Sequence, residues 1–94
     1  MIIAVDFDGT LQLRDGSPNL PLIKWLTSEQ RRGAILILWT CREGASLHEA
    51  VAWLRQHNFR VDYINCNCPE GIARLGHNSR KIFADLYIDD KAIK

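Results

Sequence analysis

Apolar positions along the chain gather into four short runs separated by amphipathic stretches. Ile2–Phe7, Ala34–Thr40, Val61–Asn65 and a last run ending at Asp89 are rich in Ile, Val, Leu and aromatic residues. Each is too short for a long helix. The first two are nearly continuous, as strands covered on both faces are. Between them the spacing turns helical. Pro21 marks a helix start, Leu22, Ile23 and Leu26 make one face, and Gly33 is placed to stop it in a left-handed cap. Ser46-Leu47-His48-Glu49 fits an S-x-x-E capping box. Leu47, Ala50, Val51 and Leu54 then recur at i, i+3, i+4 and i+7, and Asn58 can close the helix. Strand, helix, strand, helix, strand predicts an α/β domain with a small parallel sheet and right-handed crossovers.

Two segments break this rhythm. Leu11–Pro18 contains Asp15-Gly16, a hairpin-turn signal, and is expected to form a small flap after the first strand. Residues 66–80 show no clear period and carry Pro69, Gly71 and Gly76, so they read as a long loop. Trp25, Trp39 and Trp53 read as core or core-edge residues, and His48 and His57 as helix-surface residues.

At 94 residues the chain holds one domain, over 1–94, and not two. Hydrophobic residues at 47% and charged residues at 24% exclude disordered, collagen-like and coiled-coil classes. Twelve basic and eleven acidic residues leave a net charge of +1, so nucleic acid is not indicated and an anionic membrane has no electrostatic argument. No apolar run approaches the roughly 18 residues of a membrane span, and Met1–Val5 is too short for a signal-peptide core. Cys41, Cys66 and Cys68 read as free thiols of a cytoplasmic protein. A zinc site from Cys66, Cys68 and His77 lacks the usual ligand spacing.

In open α/β sheets ligands bind beyond the carboxyl ends of the strands. The first strand ends in Asp6-Phe7-Asp8-Gly9-Thr10, the second in Thr40-Cys41-Arg42 and the last in Asp89-Asp90. Four of the seven aspartates therefore fall at two strand ends. Taken singly, Asp-Gly is a turn, Thr a helix cap and Asp-Asp a solvated corner. Together they pose an electrostatic problem: Asp6 and Asp8, two apart in an extended segment, project to one side and raise each other's pKa. A small hard cation, Mg²⁺, resolves it, and Mg²⁺ held by few carboxylates keeps positions open for water and phosphate.

Asp6-Phe7-Asp8-Gly9-Thr10 resembles the D-x-D-G-T motif of the haloacid dehalogenase-like (HAD) phosphatases, with Thr40, Lys81 and Asp89-Asp90 similar to the later motifs. The resemblance runs over residues 2–90. It implies a three-layer Rossmann-like fold of strand order 4-1-2-3 and a Mg²⁺-dependent phosphohydrolase acting on phosphate monoesters. Asp6 would be the nucleophile and Asp8 the general acid and base. Asp6, the backbone carbonyl of Asp8, and Asp89 would hold Mg²⁺, with Asp90 acting through water or by orienting Asp89. Thr40 and Lys81 would hold phosphoryl oxygens, with Gly9, Thr10 and Arg42 binding substrate.

The chain departs from the family pattern in three places. Lys81 stands only eight residues before Asp89. On one straight strand it would lie roughly 26 Å from the acidic end. The expectation is that Lys81–Phe83 runs down, Ala84-Asp85 turns, and Leu86–Asp89 returns. Failing that, Arg42 and then Arg80 or Lys91 supply the phosphate cation. Only Lys91–Lys94 follow Asp90, so the last strand's edge is expected either to invite a partner such as a second copy in a homo-oligomer or to be covered by packing. Finally, the gaps at 11–20 and 66–80 cannot hold a cap domain, so the site should either be open and admit substrates of unrestricted size or be roofed by another subunit. Segment 66–80, with Arg74, His77 and Arg80, is either a substrate contact or a crossover loop.

Two other classes compete. A phosphoacceptor domain resembling response-regulator receivers would place its acceptor Asp after the third strand, where this chain has Asn65. A non-catalytic phosphate- or metal-binding module would have no need of Asp8.

Overall fold

The computed structural model describes residues 1–76 and 82–90. Its elements follow in the order β1 (Ile2–Val5), α1 (Leu20–Arg31), β2 (Ile35–Leu38), α2 (Gly44–Gln56), β3 (Tyr63–Ile64), α3 (Pro69–Leu75) and β4 (Leu86–Ile88). All pairings are parallel, and the sheet runs β3-β2-β1-β4, which counted from the other edge is 4-1-2-3. β1 is central and its four side chains are buried.

The topology explains the layers. β1, β2 and β3 step in one direction across the sheet, so right-handed crossovers put α1 and α2 on one face; the return to β4 crosses the other. Ile3, Val5, Leu36 and Leu38 pack with Ile23 and Leu26 of α1 and Ala50 and Leu54 of α2. The alternate residues Ile2, Ala4 and Ile37 pack with Cys68 and Ile82 on the opposite face. No helix among the described residues is long and apolar enough to cross a membrane.

α1 starts as its sequence predicts. Asn19 caps it by accepting from the Leu22 amide, Pro21 lies in the first turn, and Gly33 follows the end at φ +102°. α2 corrects the expected capping box. The helix begins at Gly44 with Glu43 as an extended N-cap that makes no side-chain bond, so Ser46 already lies in the first turn. The Leu47 amide bonds the Glu43 carbonyl, so helical bonding starts three residues before Ser46.

Two further expectations change. Segment 66–80 contains a helix, α3, whose seven residues are too few for a visible period; Cys68 caps it by accepting from the Gly71 amide. Cys68 is fully buried, and the zinc reading loses that ligand to the core; His77 lies outside the described residues. Trp25 and Trp39 are exposed at 40% and 44%, and of the three tryptophans only Trp53 packs against the core.

Candidate functional site

The strand register builds the site. Val5 pairs with Leu38 on one side and Ile88 on the other, and Leu38 pairs with Ile64. The next residue on each strand therefore emerges at the carboxyl edge in one row: Asn65, Trp39, Asp6, Asp89. The ladder continues one step past β1, with the Asp6 amide donating to the Ile88 carbonyl at 2.9 Å and the Trp39 amide to the Val5 carbonyl at 2.9 Å. Asp6, Trp39, Thr40, Cys41, Asp89 and Asp90 line a cleft of about 330 Å³.

After Asp6 the chain leaves the sheet and turns. The Phe7 carbonyl accepts from the amides of Thr10 and Gln12, and the Gly9 amide donates to Gln12. Phe7 is driven into the core, where its ring meets Trp53 edge-on at 5.5 Å. That anchor fixes the two acidic residues flanking it. Gly9, expected to bind substrate, has a tighter constraint: at φ +75° a Cβ there would sit 3.2 Å from the Asp90 Cβ. The positive φ favours glycine, and any side chain there would also have to displace Asp90 slightly. Thr10, also expected to bind substrate, is buried, and its hydroxyl has no hydrogen-bond partner among the described residues. The flap over 11–18 forms around Asp15-Gly16, with Asp15 accepting from the amide and hydroxyl of Ser17.

Burial pushes the Asp6 carboxyl above its ordinary pKa. The hydrogen bond it accepts from the Phe7 amide at 2.8 Å works against this, while the charges of Asp8, Asp90 and Asp89 add to the rise. Asp8 behaves oppositely. It is exposed, and Arg42 grips it with Nε at 3.0 Å and Nη2 at 2.8 Å, holding its pKa below the usual carboxylate range. Arg42 also donates to the Ser46 carbonyl and lies 4.8 Å over the Phe7 ring. Sequence alone places Arg42 near a phosphate; the structure places it on Asp8.

Thr40 sits beside Asp6 in the cleft and is held by Asn65, whose Oδ1 accepts from the Thr40 amide at 2.8 Å and whose Nδ2 donates to its carbonyl at 2.9 Å. The Thr40 hydroxyl accepts from the Arg42 amide. Asn65 was not among the expected site residues. Its signal was local: an Asn ending a strand next to Thr40, a residue type that tolerates the left-handed φ of +51° found there.

Lys81 lies outside the described residues, as do Arg80 and Lys91. The segment after it does double back. Tyr87 Oη donates to the Ile82 carbonyl at 2.5 Å and accepts from the Ala84 amide at 3.1 Å. A straight strand would hold residues 82 and 87 roughly 17 Å apart, beyond a tyrosine's reach. Asp85 makes the turn: its Oδ2 accepts from the Ile2 amide at 2.7 Å, its amide donates to the Ile2 carbonyl, and Arg74 lies 3.2 Å from its Oδ1. Arg74 is thereby engaged in a structural contact.

Among the described residues no group of three or more His, Cys, Asp or Glu side chains is arranged so that it could hold a metal ion. The acidic residues that meet in the cleft, Asp6, Asp89 and Asp90, supply hard oxygen donors only, which suits Mg²⁺ over softer metals.

No family model and no curated protein matches the chain. A solved structure does: a conserved protein from Bacteroides thetaiotaomicron, 40% identical, superposes with a TM-score of 0.80 over 98% of this chain and 77% of its own. The chain belongs to the same family as that conserved Bacteroides protein.

Proposed function

We propose that this protein is a HAD-like, capless, Mg²⁺-dependent phosphohydrolase that cleaves phosphate monoesters through an aspartyl-phosphate on Asp6. The observation that carries this reading is the row at the sheet's carboxyl edge. A half-buried carboxylate at the end of the central strand is flanked by Asp89 and Asp90 on one side and by the clamped Thr40 on the other.

The residues divide the work. An Asp6 oxygen attacks phosphorus and the bond to the leaving oxygen breaks. Asp8 gives its proton to that leaving oxygen, then takes one from the water that displaces Asp6 from phosphorus. Thr40 retains a hydroxyl proton to donate to a phosphoryl oxygen. Asp6, the Asp8 carbonyl and Asp89, with Asp90 behind them, would hold Mg²⁺, which when bound shields charge so that an anionic nucleophile can approach an anionic substrate. Burial first, and then the charges of Asp8, Asp90 and Asp89, raise the Asp6 pKa, and a bound cation would offset the charge repulsion.

Arg42 enters as a residue with two exclusive partners. Its planar fork matches a carboxylate and a phosphate equally. An incoming phosphoryl group takes the fork from Asp8, and Asp8, released beside an anion, takes up the proton it later donates. Lys81 is the second candidate for this cationic role. Free thiols at Cys41, Cys66 and Cys68 suit a reducing cytoplasm, and an edge at β4 suits a homo-oligomer.

Hydrolysis of a generic aryl phosphate by wild type and Asp6→Asn, each with Mg²⁺ and with EDTA, tests the proposal. Turnover that requires Mg²⁺ and disappears in Asp6→Asn is expected. Activity surviving in Asp6→Asn would remove Asp6 as nucleophile, and a folded wild type inert with every divalent ion would remove the hydrolase reading.

A further inference from the structure

Trp39 is exposed at 44%, and the cleft it lines also holds Asp6, Thr40, Asp89 and Asp90. Strand alternation explains its position. Ile37 packs on the second face of the sheet and Leu38 on the first, so Trp39, one step further, returns to the second face at the carboxyl edge. There it meets Tyr87, with ring centroids 5.7 Å apart and planes at 65°. The strand between them carries Ala4, in register with both Ile37 and Tyr87, and its small side chain leaves the two rings room to meet across β1.

Tyr87 is itself immobilised by its bonds to the Ile82 carbonyl and the Ala84 amide. The Trp39 indole is therefore backed by a fixed ring, while a large part of it faces solvent beside the candidate nucleophile. Other exposed large apolar side chains, such as Leu20 and Trp25, are not among the residues lining this cleft. A rigid exposed indole loses little conformational freedom when a ligand covers it, which favours binding. At about 330 Å³ the cleft has room for a phosphoryl group and one planar ring.

We infer that Trp39 is a specificity-determining platform that selects phosphomonoesters whose alcohol portion carries a planar aromatic ring stacked on the indole. The inference rests on the phosphohydrolase reading for the identity of the phosphate end. Stacking of the leaving portion is made in the ground state and kept in the transition state, so it acts on KM and leaves kcat unchanged.

The test compares benzyl phosphate with cyclohexylmethyl phosphate, esters of similar size and leaving group that differ in planarity. KM and kcat are measured with Mg²⁺ for wild type, Trp39→Ala and Trp39→Phe, and binding of both esters is measured calorimetrically on Asp6→Asn and on wild type at low temperature. Wild type should favour the benzyl ester about 10-fold in KM and in affinity, Trp39→Ala should lose that preference in both, and Trp39→Phe should keep part of it. Adenosine 5′-monophosphate as a third ligand separates sources of the ring: tighter binding than the benzyl ester, lost in Trp39→Ala, points to nucleotides, and weaker binding to simple aryl esters. Equal affinity of wild type for the planar and saturated esters, or a preference undiminished in Trp39→Ala, overturns the platform. Absence of turnover with a preserved, Trp39-dependent binding preference overturns hydrolysis while leaving the platform standing.

Discussion

Arg42 closes a two-bond fork on Asp8, with Nε on Oδ2 at 3.0 Å and Nη2 on Oδ1 at 2.8 Å. The pair spans thirty-four residues of sequence and joins the loop after β1 to the loop after β2. The same guanidinium lies over Phe7, the ring that anchors the acidic loop. Arg42 therefore ties the acidic loop after β1 to the loop after β2, and on the proposed function its fork is the group a phosphate would compete for.

Replacing this side chain should separate its charge from its shape. Arg42→Ala is expected to lower kcat/KM for an aryl phosphate by about 10- to 100-fold, the range for losing a charge-assisted hydrogen-bonding partner. Arg42→Lys should recover only part of the loss, because an ammonium cannot reproduce the fork. Steady-state kinetics on the three proteins decides it; wild-type kcat/KM in Arg42→Ala would take Arg42 out of substrate binding.

Gly9 tests the approach of the β1 and β4 loops. Gly9→Ala must accept φ +75° and a contact of 3.2 Å to the Asp90 Cβ. A loss of about 1–2 kcal/mol in urea unfolding is expected from the backbone conformation. Asp90 would also be pushed out of place, so the Mg²⁺ concentration for half-maximal activity should rise. Unchanged stability and Mg²⁺ dependence would show that the loops relax without cost.

Asn65 can be tested without disturbing its left-handed backbone. Asn65→Gly retains the φ of +51° and removes both bonds to Thr40. Stability should fall by about 1–2 kcal/mol, and kcat should fall as Thr40 loses its fixed position, with KM less affected. A variant that loses stability but keeps kcat would make the clamp purely structural.

Asp85 sets an acid-side stability limit. The Ile2 amide, and then Arg74, hold its folded-state pKa below the unfolded value. Its contribution is thus fully present above the unfolded pKa of about 3.9 and is lost as pH falls through the lower folded value. Denaturant melts from pH 6 downward should show wild type losing more stability below about pH 4 than Asp85→Asn. Parallel curves for the two proteins would mean that another carboxylate controls the acid limb.

The alternation of apolar strands with helical spacing was legible because each strand of a parallel sheet is buried on both faces and each crossover helix on one. The α1 boundaries followed from Pro21 and Gly33, whose backbone preferences act locally, while the Asn19 cap came only with the structure. Ser46 misled for the same reason: a capping motif states a local preference, while the start of α2 depends on how the chain leaves β2 beside Thr40. α3 was missed because seven residues are two turns, too short for periodicity to register.

Sequence alone determined which residue types stand at the strand ends, because burial and turn chemistry are written in short segments: Asp6, Asp8, Thr40, Asp89 and Asp90 were all visible as a group. Only the tertiary structure decided how they are used. Strand register set Asn65, Trp39, Asp6 and Asp89 in one row, the chain reversal at Asp85 brought Tyr87 against Trp39 and Ile82, and a long-range fork put Arg42 on Asp8. Each of these depends on distances between segments remote in the chain, and composition and spacing carry no record of such distances.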